Sequence, residues 1–178
     1  MLSIGDPAPS FERQPVFGLP VQVPSSTPLL LCFVRSLSSP LTRQRLAELQ
    51  ERNSDFDVEG IRIAAITDSE AELAQDFVPR YHVLAPVICD PEQVLFKEWG
   101  VGGHNPVLGR LRGLGVANVR GAFRALKHGV GPIERRQLRL PAQFLIKDGK
   151  ILAAHYAQSV GEDLGLDALL AAFKASQA

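Results

Sequence analysis

Apolar and polar positions divide this chain into an alternating succession of strands and helices. Leu29 to Arg35 is a continuous apolar run, the mark of a strand buried on both faces. Ser39 follows as a helix N-cap, and Pro40 suits the first helical position, where a missing N–H costs nothing. Leu41, Leu46 and Leu49 give that helix an apolar face. Gly60 ends the connection, and Ile61 to Thr67 reads as a second buried strand. Asp68 or Ser69 caps the next helix, which carries Leu73, Phe77 and Tyr81 inward. Val83 to Cys89 is a third strand, and Asp90-Pro91 opens a short helix through Trp99 by the same cap-then-proline logic.

The late part changes character. Leu140 to Ile146 and Ile151 to Tyr156 are strands joined by Lys147-Asp148-Gly149-Lys150, and Asp-Gly at that place is a strong hairpin signal. A last helix covers Asp163 to Lys174, with Leu166, Leu169, Leu170 and Phe173 on one side. Residues 1–28 are rich in Pro and Ser and read as an irregular arm ending in a small hairpin near Val21 to Val23. The alternation predicts an α/β fold: parallel central strands, a mixed sheet once the hairpin joins, helices on both faces. Ligands of such sheets sit at the carboxyl ends of the strands, and residues 36–43 lie at one such end.

Composition narrows the function classes. The 178 residues suit one domain with a real core. Formal net charge is zero, so bulk charge gives no reason to expect nucleic acid as a partner. No apolar run approaches the roughly 20 residues that span a bilayer. The start, Met1-Leu2-Ser3-Ile4-Gly5-Asp6-Pro7, lacks the basic and apolar regions of a secretory leader, so a cytoplasmic protein is the expectation. Cys32 and Cys89 are too few for a disulfide framework and stand at no metal-ligand spacing, so neither metal nor cofactor is expected. Cys32 lies within an apolar strand, where burial blunts a thiol, and Cys89 stands beside Asp90, whose charge disfavours a thiolate. His82, His104, His128 and His155 are scattered.

Several motifs in order resemble the AhpC/TSA family, peroxiredoxin-related proteins of the thioredoxin-like superfamily. Gly5-Asp6-Pro7-Ala8-Pro9-Ser10-Phe11 is similar to the family's opening GxxAPxF. Leu30 to Leu46 resembles its strand, active-site turn and helix, and Gly60 to Thr67 the strand after it. Cys89-Asp90-Pro91, Trp99-Gly100-Val101 and the stretch Pro141 to Ile151 resemble later landmarks. The resemblance implies a thioredoxin-like, peroxiredoxin-type domain over 1–178, with an arm at 1–28 and an inserted helical segment at 101–137. It implies antioxidant oxidoreductase chemistry on peroxide, a thiol reductant, and a homodimer as a common state.

That chemistry needs a thiolate in the first turn of a helix, where free N–H groups and the dipole stabilise the anion before it becomes a sulfenic acid. Laid onto this chain, the peroxidatic cysteine falls on Ser39 and the CxxC partner on Thr42. Ser36 fits the hydroxyl that positions peroxide, and Arg43 is the candidate cation, although its match is poor. The arginine many relatives carry before the late Phe falls near Pro141, with Arg139 close by. Pro141 instead resembles the thioredoxin cis-proline, so Leu140–Pro141 is expected cis. A serine has no accessible alkoxide near neutral pH and no sulfenic acid chemistry, so no thiol peroxidase turnover is expected at Ser39. Two origins stay open: natural loss, which Thr42 favours, or a serine in place of the cysteine of an active one-cysteine peroxidase. A third reading is a binding module on a thioredoxin fold, holding a small anion or a protein. There is no G-x-S-x-G elbow, so Ser39 is not read as a hydrolase nucleophile. As a cap, its hydroxyl should accept from the N–H of Leu41 or Thr42.

The segment Gly100 to Gln137 is long for a connection within a domain. It carries Arg110, Arg112, Arg120, Arg124 and Lys127 with no acidic residue between Glu98 and Glu134. Asn118 caps a short predicted helix there whose basic side reads first as a solvated face. A lid, a dimer element or an anionic-ligand or membrane-surface patch are the alternatives. Gly113-Leu114-Gly115 follows no clear strand and is not read as a nucleotide loop.

Overall fold

The computed structural model describes residues 1–102, 140–158, 162 and 165–177. Among these, β1 (Phe11–Arg13) and β2 (Val21–Val23) form an antiparallel hairpin. A five-stranded mixed sheet follows, from β3 (Leu29–Val34), β4 (Arg62–Thr67), β5 (Val87–Cys89), β6 (Ala142–Lys147) and β7 (Lys150–Tyr156), in the order β5-β4-β3-β6-β7. The helices are α1 (Pro40–Glu51), α2 (Asn53–Asp57), α3 (Ala71–Arg80), α4 (Val94–Glu98) and α5 (Leu166–Ala175).

Topology follows from handedness. The crossovers β3-α1-β4 and β4-α3-β5 step the same way across the sheet, and right-handed crossovers therefore put α1 and α3 on one face. There Leu46, Leu49, Phe77 and Phe173 close over Leu30, Val34, Ala65 and Leu145. On the other face the hairpin and α4 bury Phe11, Val21, Phe96 and Trp99 against Leu31, Phe33, Ile66 and Phe144. Period-two alternation along each strand feeds both layers, which is why β3 is buried at every position. The fold is thus the expected mixed sheet with helices on both faces.

The N-terminal arm protects the sheet edges. Val16 N–H donates to the Val87 carbonyl on β5 at 2.8 Å. Gly5 and Ala8 donate to Ile151 and Gly149 at the start of β7, at 2.8 and 2.9 Å. Covered edges remove a template for unwanted strand pairing. The β6–β7 turn bears out the Asp-Gly signal, with positive φ at Asp148 (52°) and Gly149 (73°).

Several local expectations are corrected. The third strand spans only Val87–Cys89, because Pro86 and the residues before it form a turn-like approach. Helix α3 starts at Ala71 with Glu70 as N-cap, since the Ser69 hydroxyl is taken by the Leu37 amide. Helix α4 starts at Val94, and Asp90 serves it across an extra turn: its carboxylate oxygens accept from Val94 N at 2.9 Å and Phe96 N at 3.1 Å. Asp90 is therefore committed to α4, on the face opposite Cys89. The last helix begins at Leu166, after a left-handed Gly165. The inserted segment 101–137, with its basic residues, lies outside the described residues from 103 onward.

Candidate functional site

The carboxyl ends of the parallel strands form the site's floor. Register pairs Val34 with Thr67 and Thr67 with Cys89, so the chain leaves three adjacent strands at Arg35, Asp68 and Asp90. Thr67 Oγ1 donates to the Arg35 carbonyl at 2.9 Å, and Ser69 Oγ accepts from Leu37 N at 2.9 Å. Two hydroxyls from the end of β4 thereby hold the turn that leads out of β3.

The turn itself is built on Ser36. Its carbonyl accepts from Ser39 N at 3.0 Å and its Oγ from Ser38 N at 3.2 Å. Ser39 then caps α1 with extended backbone, φ −75° and ψ 127°, and its carbonyl accepts from Arg43 N at 3.2 Å. The expected cap bond from the Ser39 hydroxyl is not made. The backbone turn already fixes Ser39, so the hydroxyl is not recruited, and among the described residues no carbonyl accepts from the amides of Leu41 and Thr42. Thr42 is buried within the first turn, and Ser38 Oγ is buried with no hydrogen-bond partner among the described residues.

Ser36, Ser39 and Thr42 are therefore brought together at one strand–helix junction. Arg43 sits in the same turn of α1 but turns toward α3. Its Nε donates to the Leu37 carbonyl at 3.2 Å and its Nη1 to Tyr81 Oη at 2.7 Å. Its guanidinium carbon lies 4.9 Å from the Tyr81 ring centroid and 5.5 Å from that of Phe77. The groove this creates, about 220 Å³, is lined mainly by Arg43, Leu46, Phe77, Tyr81 and Val83. Arg43 is thus a buried strut between α1 and α3.

Pro141 is buried beside the end of β3, one residue beyond the Phe33–Ala142 pair. Its peptide bond with Leu140 is not cis; the cis bond among the described residues is Val23–Pro24. The Pro141 carbonyl accepts from Ala157 N at 3.0 Å, which keeps the chain extended and continues the β6–β7 ladder. Burial pushes the Cys32 thiol far up from its ordinary value, so it stays protonated. Cys89 is half-buried on β5, and neither cysteine is in a disulfide. No group of metal-ligating side chains is assembled among the described residues.

Sequence reasoning passed over Arg35, which it used only to end a strand. The structure sets this partly buried cation at the root of the turn, beside the buried Asp68. A charged residue closing an apolar run at the carboxyl end of a central strand was the available signal.

Strand order, the late hairpin and a helix starting over the central strand define a thioredoxin-like protein of the peroxiredoxin type. Residues 4–155 match the model of the AhpC/TSA family, and the chain belongs to that family. Peroxidoxin BcpB from Mycobacterium tuberculosis is similar in structure, with a TM-score of 0.71, 16% identity and 98% of each chain covered. PrxQ from Xylella fastidiosa, solved as a cysteine-to-serine mutant, has a TM-score of 0.71 at 13% identity, covering 100% of this chain and 99% of that one. A peroxiredoxin-like protein from Aquifex aeolicus reaches 0.69 at 16% identity, covering 98% and 87%. At such identities these neighbours show the fold alone. No curated protein matches the sequence. Among the described residues, no helix is long and apolar enough to cross a membrane.

Proposed function

We propose that this chain is an AhpC/TSA member that works without thiol peroxidase chemistry, using its strand-end site to bind a small anion or peroxide. The observation that carries the reading is Ser39 at the helix junction, where the family resemblance puts the peroxidatic cysteine. Its hydroxyl cannot become a sulfenic acid or supply an accessible anion near neutral pH. Thr42 removes the CxxC partner. Cys32 cannot substitute, because it is wholly buried and held as a thiol. What the junction retains is donor chemistry: the Ser36 and Ser39 hydroxyls and the first-turn amides of α1. On this reading the protein is cytoplasmic, and a homodimer would show as a doubled mass in light scattering.

Peroxide consumption with a thiol reductant tests the proposal. The chain as it stands should consume hydrogen peroxide no faster than the Ser39→Ala variant. Turnover that depends on Cys89 or Cys32, lost on alanine substitution, would overturn it. Ser39→Cys tests the pocket: rapid sulfenic acid formation would mean that the thiol alone is missing.

A further inference from the structure

We infer that the groove between α1 and α3 is a binding site for a small arylalkyl ammonium compound, its ring among the apolar walls and its ammonium on Glu51. The site goes beyond the strand-end reading above and does not depend on it.

Helical spacing builds the groove. Arg43, Ala47, Gln50 and Glu51 fall on one stripe of α1 at intervals of three and four residues, with Leu46 beside them. Phe77 and Tyr81, at i and i+4 along α3 and its C-cap, form the opposite wall with Val83. The space between is about 220 Å³. A dry cavity of roughly 150 Å³ lined by Leu, Ile and Phe takes up benzene. The groove therefore has room for one ring and a short chain.

Its two ends differ. Arg43 closes one of them, and its donors are engaged: Nε on the Leu37 carbonyl at 3.2 Å and Nη1 on Tyr81 Oη at 2.7 Å. The guanidinium is buried and stacked on the Phe77 and Tyr81 rings, so it presents a wall to a ligand. Glu51 lies at the other end, eight positions on, roughly 12 Å along the axis at about 1.5 Å per residue. It is exposed, and among the described residues its carboxylate makes no hydrogen bond and no ion pair. The side chain of Gln50, half-buried beside it, makes none either. The nearby cations on the same helix and its cap have other partners: Arg45 pairs with Glu48, and Arg52 with Asp55 and Asp167.

The ligand class follows from those ends. Leu46, Ala47, Phe77 and Val83 favour an apolar body, held by its removal from water. An uncommitted carboxylate at the mouth favours a positive donor. Coulomb's law decides whether Arg43 forbids one. In a common dielectric, an ammonium about 3 Å from Glu51 is attracted roughly four times as strongly as a guanidinium about 12 Å away repels it. A carboxylate on the ligand would be repelled by Glu51 and would find the Arg43 donors engaged. The geometry thus selects a cation over an anion.

The test titrates the full chain with phenethylamine and, separately, with phenylacetate and methylamine, read by calorimetry and by amide shifts at Ala47 and Val83. Phenethylamine should bind. Phenylacetate, which lacks the positive charge, and methylamine, which lacks the ring, should each bind at least about tenfold more weakly. Glu51→Gln, a substitution at an exposed position, should weaken phenethylamine about tenfold and leave phenylacetate no weaker. Ala47→Leu fills the groove and should abolish phenethylamine binding. If Ala47→Leu folds poorly, Glu51→Gln decides the matter alone. No phenethylamine binding at millimolar concentration, equal binding of phenylacetate, or unchanged binding in Glu51→Gln overturns the inference. Binding that survives in a folded Ala47→Leu chain overturns it as well. Peroxide turnover by the chain would instead overturn the functional reading above and leave this result standing.

Discussion

Ser69 Oγ accepts the amide hydrogen of Leu37 at 2.9 Å, across 32 positions of chain. Leu37 is fully buried, and its N–H has no helix or ladder of its own to serve it. One hydroxyl from the end of β4 thus positions the loop that presents Ser39. Ser69→Ala leaves that amide unsatisfied and should cost about 1–3 kcal/mol, read as a lower urea midpoint at unchanged slope. A midpoint equal to the parent protein's would show that the loop holds itself.

The Arg43–Tyr81 contact joins α1 to α3 by a hydrogen bond of 2.7 Å and by ring stacking at 4.9 Å. Tyr81→Phe removes the bond and keeps the ring, whereas Arg43→Met removes both. A double-mutant cycle in thermal or urea unfolding should give a coupling of about 1 kcal/mol. Strict additivity would mean that Arg43 acts through its other contacts.

Cys32 links stability to pH. Burial raises its folded value far above the unfolded one, near about 8.5. Below that pH the thiol is protonated in both states and pH has no effect through it. Above it, the unfolded chain loses the proton and the folded chain keeps it. Stability should therefore fall with rising pH, by about 1.4 kcal/mol per unit once the unfolded thiol is ionised. Cys32→Ala should flatten that slope between pH 9 and pH 10, whatever its effect on the midpoint at pH 7. An unchanged slope would show that Cys32 ionises in place.

The second core layer hangs on aromatic edges. Phe144 meets Trp99 at 5.0 Å, Tyr156 at 5.2 Å and Phe33 at 5.7 Å, all edge-on. Phe144→Ala should cost about 3–5 kcal/mol, because a fully buried ring leaves a cavity that the sheet cannot close. Calorimetry would show it as a large fall in Tm; a small fall would mean that the hairpin and α4 collapse into the space.

Helix and strand order was readable because apolar periodicity is a local property. Leu29–Val34 and the start of α1 at Pro40 emerged within a residue of expectation. Elements limited by side-chain commitments elsewhere did not. Asp90 looked like an immediate cap, yet α4 waits until Val94. Ser69 looked like a cap and serves Leu37 instead. Likeness to a cis-proline misread Pro141, which the Ala157 bond keeps in line with its strand.

By itself the sequence determined the class of fold and the absence of a thiol at the strand–helix junction. Both are matters of local pattern and of one residue's identity, Ser39. Only the tertiary structure decided what the arginines beside that junction contact. Arg43 and Arg35 flank the same turn, and nothing local separates them. Tyr81, 38 positions beyond Arg43, draws that side chain onto α3. Parallel pairing of β3 and β4 sets Arg35 and Asp68 at neighbouring strand ends, where the Asp68 charge acts on the guanidinium. A charge is assigned its work by the partners that reach it, and here those partners come from distant elements.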